Sequence, residues 1–160
     1  MLTWSTRSLP TDSYQGAGNN ISTNSNVNPG AWGISWEYVI QLANAANKDI
    51  GINIPISATG GSDPLDPTYD PSSDSYIYQL ELLLKNGDAF TGNLGLNPGL
   101  HIYIEHSNEV WNSGFLQYTW NMLAAESEVN HGGSVLNNDG DTNQQDWADR
   151  RHIKRLYEIS

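Results

Sequence analysis

The alternation of apolar and polar positions divides the chain into four helical stretches and two short strands. Residues 35–47, SWEYVIQLANAAN, place Trp36, Val39, Ile40 and Ala43 on one helical face. Ser35 is positioned to cap that helix, Glu37 lies in its first turn where a carboxylate suits the dipole, and Asn47 is a fitting stop. Residues 50–56, IGINIPI, alternate instead: Ile50, Ile52 and Ile54 share one side and Pro55 ends the run, the pattern of a short strand. A second helix is predicted over residues 74–85, capped by Ser73 or Asp74 and stopped by Gly87. A second strand follows at 100–106. A third helix at 114–129 has Phe115, Tyr118, Met122 and Ala125 in register. The last helix, from residue 145, places Trp147, His152 or Ile153, and Leu156 on one side.

Between these elements lie loops rich in Gly, Asn, Ser, Asp and Pro, at 1–33, 57–74 and 130–145. The two strands are separated by a helix of about a dozen residues, so the connection is a crossover and the strands should pair in parallel. No internal repeat is visible. Two strands are too few for a complete doubly wound domain or barrel. The last helix also reaches the final residue without a C-cap, which reads as part of a larger domain.

The second strand raises the main chemical question. Residues 101–115, HIYIEHSNEVWNSGF, form an apolar alternating run that stops on Asn108-Glu109 and is followed by Trp111. In an extended chain Ile102, Ile104 and His106 share one face and Tyr103, Glu105, Ser107 and Glu109 the other. In a barrel of parallel strands the aliphatic side suits the surrounding helices. That sends the second set inward and puts Glu109 at the C-terminal rim, where such barrels carry their active sites. A carboxyl group in a partly dry, aromatic-lined pocket has its pKa raised and can donate a proton to a leaving oxygen. Asn108 offers an amide for a sugar hydroxyl, and Trp111 and Phe115 offer faces for a sugar ring. Glycoside hydrolysis needs a second carboxylate. Glu105, four residues earlier, would lie ~13 Å away along an extended strand, against ~5 Å for a retaining pair. It is expected instead to tie a buried polar group lower in the barrel.

The segment YIEHSNEVWN resembles the acid/base segment of the clan of retaining glycoside hydrolases with a (β/α)8 barrel, in which Asn-Glu closes the fourth strand. It is particularly similar to uncharacterised secreted bacterial barrel proteins with a variant of VYVEYSNEVWN. The upstream WEYVIQLANAANKDIGINIP resembles the segment those proteins place before it. The likeness spans about residues 32–120, with weaker matches at Trp4, Arg7, Leu9 and Pro10 and at WADRR. It implies that Glu109 is the general acid/base and Asn108 the hydroxyl-binding neighbour. Many clan members have Pro after the Glu where this chain has Val110, and the clan's nucleophile, on the seventh strand, has no counterpart here.

The expected fold class is therefore α/β, a partial (β/α)8 (TIM-type) barrel. Residues 1–160 would be a fragment of one catalytic domain: 1–33 a loop-rich N-terminal part, 34–129 the βα units, 130–160 a loop and helix. The expected function is hydrolysis of a β-linked poly- or oligosaccharide with retention. Glu109 would be the catalytic residue, Asn108 and Trp111 substrate-binding residues, and the nucleophile would lie outside this chain with the remainder of the barrel, leaving the fragment alone inactive. The alternatives are a carbohydrate-binding barrel domain without catalysis, or a structural or surface-assembly domain.

Composition changes this picture mainly by exclusion. A net charge of −11 repels phosphate backbones and argues against nucleic acid as partner. Arg150, Arg151, Lys154 and Arg155 hold four of the seven positive charges and read as the solvated face of a helix, with a local anion site as the other reading. The absence of Cys removes disulfides and thiol chemistry. No apolar run is long enough to span a membrane, and MLTWSTRSLP lacks the pattern of a signal peptide. The substrate class still suggests an extracellular or periplasmic location. No cofactor or metal is expected: the four His show no ligand spacing, and no phosphate loop or G-x-S-x-G elbow occurs. Asp63, Asp66, Asp70 and Asp74 read as turn-formers and caps in a stiff, proline-rich loop, with a Ca²⁺ site as the other reading, and NNDGDTNQQD is read in the same way. Trp4, Arg7 and Trp32 are candidate anchors, packed under the fold or lining a sugar cleft. Trp36, Trp120 and Trp147 are expected in the core.

Overall fold

The computed structural model describes residues 1–12, 15, 33–88, 92 and 94–160. Trp32 lies outside the described residues. Among the described residues there are four helices and two strands: α1 Trp36–Ala46, β1 Ile50–Ile54, α2 Tyr76–Asn86, β2 Ile102–His106, α3 Leu116–Asn130 and α4 Gln144–Ile159. Short 3-10 turns occur at Trp4–Thr6 and Val135–Asn137.

β1 and β2 form a two-stranded sheet. Ile50 N donates to His101 O at one end and Ser107 N to Ile54 O at the other, so the strands run in the same direction. β1–α2–β2 is thus a single crossover unit, and the parallel pairing expected from the pattern is present.

The partial (β/α)8 barrel is not. The described residues form a two-stranded parallel sheet and four helices, a small mixed α/β chain. Along β2 the face expected to line a barrel is open: Tyr103 is 66% exposed and Glu105 is exposed. The alternation of strand and helix that suggested a barrel is satisfied by one β–α–β unit. The two later helices pack against each other instead of returning the chain to the sheet.

The chain divides into two compact units, 1–50 with 73–103, and 51–72 with 104–160. In the first, Ile40 and Ala43 of α1 and Tyr76, Leu80 and Leu83 of α2 are buried. Asn47 closes α1 in the left-handed conformation (φ 51°), a role its short polar side chain tolerates. Ser75, one or two residues beyond the expected caps, precedes α2, and Gly87 (φ 74°) ends it. Trp4 and Arg7 pack here. The Arg7 guanidinium lies 4.0 Å from the Trp4 ring centre and donates to Glu37 Oε1 at 2.7 Å. Trp4 meets Tyr76 edge-on, and Trp36 Nε1 donates to the Tyr76 hydroxyl at 2.6 Å. Burial pushes the Tyr76 phenol up to about 12, the Trp36 bond and the Arg7 charge opposing it.

The second unit holds the end of β2, α3, α4 and the proline-rich loop. Ala125, Leu136 and Ala148 form its apolar centre, with Met122, Val129 and Trp147 against them. α4 turns Trp147 and His152 of the expected face inward, half-buried, but not Ile153. Ile153 is 66% exposed, while Ala148, Arg151 and Arg155 are buried. The basic cluster is therefore not a solvated face: two of its four charges, Arg151 and Arg155, lie inside.

Candidate functional site at the end of β2

Regular extension stops at His106, so alternation does not aim Glu109. Ser107 (φ 63°) and Glu109 (φ 49°) are both left-handed, and neither is glycine. For L-residues this costs about 1–2 kcal/mol each, and such residues concentrate where a site demands the geometry. Burial of Ser107 and Val110 anchors the turn on either side, leaving Asn108 exposed and Glu109 half-buried. Successive turns then lead into α3. Asn112 N donates to Glu109 O, Phe115 N to Asn112 O and Tyr118 N to Phe115 O, at 3.0, 3.0 and 3.2 Å.

Side chains brace the same turn. Asn112 Nδ2 donates to Glu109 Oε2 at 3.2 Å, and Gln117 Nε2 donates to Asn108 O at 2.7 Å. Trp111 is 69% exposed and Phe115 44% exposed. The three residues named from the sequence, Asn108, Glu109 and Trp111, therefore share one short turn with a carboxylate, an open amide and an open indole face. The aromatic enclosure expected around the carboxylate is not closed on the Trp111 side. Glu105 is exposed on β2 and does not tie a buried group as expected.

Comparison with models of known families, with characterised proteins and with solved structures finds no match to this chain.

On its other side the strand end abuts a buried charged network, all within the second unit. Arg151 Nη2 donates to Asp66 Oδ1 and its Nη1 to Asn121 Oδ1, both at 2.8 Å. Arg155 donates to Gly60 O at 3.0 Å, Ala58 O at 3.2 Å and Glu158 Oε2 at 2.6 Å. Lys154 bridges Asp63 (2.8 Å) and Glu128 (2.6 Å), and Ser134 donates to the second Glu128 oxygen at 2.7 Å. α4 thus pins the proline-rich loop by side chains one helical turn apart. Asp63, Asp66 and Asp70 do form turns, accepting from the backbone N–H two residues on, as the sequence suggested. Asp66 also serves as a buried counter-ion, which the sequence reading missed.

Electrostatics follow from burial against pairing. Burial alone would raise Asp66, but the Arg151 charge and hydrogen bonds from Arg151 and Thr68 outweigh it and hold the carboxyl well below the usual range. Glu128 goes the other way, raised by burial despite Lys154 and Ser134. His106 Nδ1 lies 3.2 Å from His152 Nδ1, with the rings stacked, so only one of these facing atoms carries a proton in the neutral pair. Burial, then Arg151, Arg155 and His152, push His106 down to about 3, Asp66 opposing. His152 is lowered by burial against Glu105 and Asp149. Among the described residues no group of three or more His, Asp or Glu is placed to hold a metal ion. In the 137–146 loop, Asp139 and Asp141 are instead paired with Arg150. No helix among the described residues is long and apolar enough to cross a membrane.

Proposed function

We propose that the turn after β2 is a carbohydrate site in which Glu109 acts as general acid/base in cleavage of a β-linked poly- or oligosaccharide. The observation that carries this reading is the pair of left-handed non-glycine residues, Ser107 and Glu109, at the C-terminal end of a parallel strand. The chain holds an unfavourable backbone there, which sets an exposed Asn108 and a half-buried Glu109 next to an exposed indole. Glu109 protonates the leaving oxygen as the glycosidic bond breaks. A second carboxylate, supplied from outside this chain, attacks the anomeric carbon, and water later returns its proton to Glu109. Asn108 bonds a ring hydroxyl and Trp111 stacks on the sugar. A polymeric substrate of this kind suits an extracellular or periplasmic location.

The test supplies the missing nucleophile. The full chain is incubated with aryl β-glycosides and azide, and the product expected is the glycosyl azide of inverted configuration. Glu109→Gln should abolish it for leaving groups that need protonation. Equal product from wild type and E109Q removes Glu109 from the chemistry.

A second reading, glycan binding without cleavage, is favoured by the exposure of Trp111 and Phe115. It predicts tryptophan fluorescence quenching by oligosaccharides that Trp111→Ala removes, with no glycosyl azide formed. Trp111→Ala should shift stability by less than about 0.5 kcal/mol, since the side chain is exposed.

A further inference from the structure

We infer that Asn112 is a positioning residue for Glu109, holding one carboxylate oxygen so that the other carries and delivers the proton. The chemical meaning of this assignment rests on the acid/base reading of Glu109, while its geometry does not. Gly114 N donates to Asn112 Oδ1 at 3.0 Å, which fixes the oxygen end of the amide. The opposite end, Nδ2, then faces Glu109 Oε2 at 3.2 Å. The backbone of the same two residues closes a turn through Asn112 N and Glu109 O. A side chain at position 114 would bring its Cβ to 3.2 Å from Asn112 Oδ1, so the bracing amide and Gly114 fit closely.

A protonated carboxyl has one O–H. The oxygen that accepts from Asn112 is occupied as an acceptor, so the proton sits on the oxygen turned away from it. In the forward step that O–H bond breaks, its proton passes to the leaving oxygen, and the glycosidic bond's electron pair stays on that oxygen. The second carboxylate forms the new bond to the anomeric carbon. In the return step water gives its proton to the same Glu109 oxygen. Each time Glu109 ionises, the Asn112 bond becomes charge-assisted and strengthens, favouring the state formed on proton transfer.

The experiment follows the side-chain amide protons of Asn112 and the carboxyl carbon of Glu109 by NMR in the full chain as pH is varied. Both signals should move with one shared midpoint, and in Glu109→Gln the Asn112 signal should lose that dependence. An Asn112 signal that ignores the Glu109 titration, or keeps the same dependence in E109Q, overturns the assignment. Asn112→Asp keeps the shape and the Gly114 bond but replaces the donor with a like charge. It should leave oligosaccharide affinity unchanged and lower azide-assisted turnover by about a hundredfold. Wild-type turnover in N112D also overturns the proposal. Should N112D fail to fold, the titration of the unaltered chain decides. A shared midpoint with no glycosyl azide from the wild type would leave the positioning intact and remove the acid/base reading instead.

Discussion

Replacing His106 should flatten the dependence of stability on pH between 6.5 and 4. His106 is 1% exposed, and its imidazole is pushed down to about 3, first by burial and then by Arg151, Arg155 and His152. A histidine whose folded pKa lies below its unfolded value of 6.5 binds fewer protons in the native state than in the unfolded chain. Stability is therefore full above 6.5 and is lost as pH falls from there towards 3. With one proton in question, and ~1.36 kcal/mol per pH unit, the loss between pH 6.5 and 4 is about 3 kcal/mol. That is a large share of the about 5–15 kcal/mol typical of a folded domain. Other groups contribute in the same range with different signs. His152 is also lowered and adds to the loss. Glu128 is raised, so its native state takes up a proton more readily and acid favours folding through it. Asp66 and Asp63 are lowered from 3.8, so the stability they add is lost only below that value. Comparing wild type with His106→Gln cancels the carboxylate contributions and leaves the histidine pair. Urea unfolding at pH 7, 6, 5 and 4, read by far-ultraviolet dichroism and tryptophan fluorescence, gives the two curves. His106→Gln is expected to be less stable at pH 7 and to lose about 3 kcal/mol less on acidification. Parallel curves would show that His106 is not held neutral by its surroundings.

Arg151→Met leaves Asp66 buried without its main counter-ion and should cost about 3–5 kcal/mol in urea unfolding, and adding Asp66→Asn should recover most of it; a single variant as stable as wild type would contradict the buried pair. Glu109→Asn keeps a polar side chain but suits the left-handed backbone, so it should gain about 1 kcal/mol while losing glycosyl azide formation. The gain reads as a melting temperature higher by about 2–4 °C, and a lower melting temperature would contradict the strain.

Local elements were legible because local chemistry determines them. Ser35 and Asn47 flank α1 where the sequence places them, although the Ser35 hydroxyl makes no capping bond, and Ile52 and Ile54 are the buried side of β1. Ser75, not Ser73 or Asp74, precedes α2, a shift within the range that neighbouring Ser and Asp caps allow. The number of strands was not legible, and the expected barrel is absent, because a crossover pattern specifies a parallel pair and not how many strands join it. The turn at Ser107 was not legible either. Serine carries no strong signal for a left-handed backbone, so the alternation runs three residues past the strand's real end, to Glu109. That Asn108, Glu109 and Trp111 nonetheless meet in one turn follows from their closeness in sequence.

The burial of Arg151 and Arg155 was illegible for a different reason. Their partners lie far away in the chain, Asp66 and the carbonyls of Ala58 and Gly60, and no periodicity reports such pairing. A spacing signal was present in hindsight: Ala148, Arg151 and Arg155 repeat at helical intervals with a small residue at one end.

This network also bears on how the strand end keeps its shape. The second unit has a small apolar centre built largely of alanines with Leu136, so aliphatic packing alone gives the turn little support. The buried Arg151 and Arg155 send their charged ends to several carbonyls and carboxylates at once. Buried ion pairs of this kind add little net stability over apolar packing, but they tolerate few alternative arrangements, because any shift strands a charge. His106 connects the two parts. It is the last residue of β2, its ring lies against His152 of α4, and Ser107 begins the left-handed turn immediately after it. Below pH 6.5 an opening that frees His106 to take up a proton becomes easier, so acid should loosen the turn holding Glu109 before the helices melt. In amide hydrogen exchange at pH 5, residues 107–112 should lose protection ahead of α3 and α4. Simultaneous loss across all three segments would mean that the network braces the whole unit and not the strand end in particular.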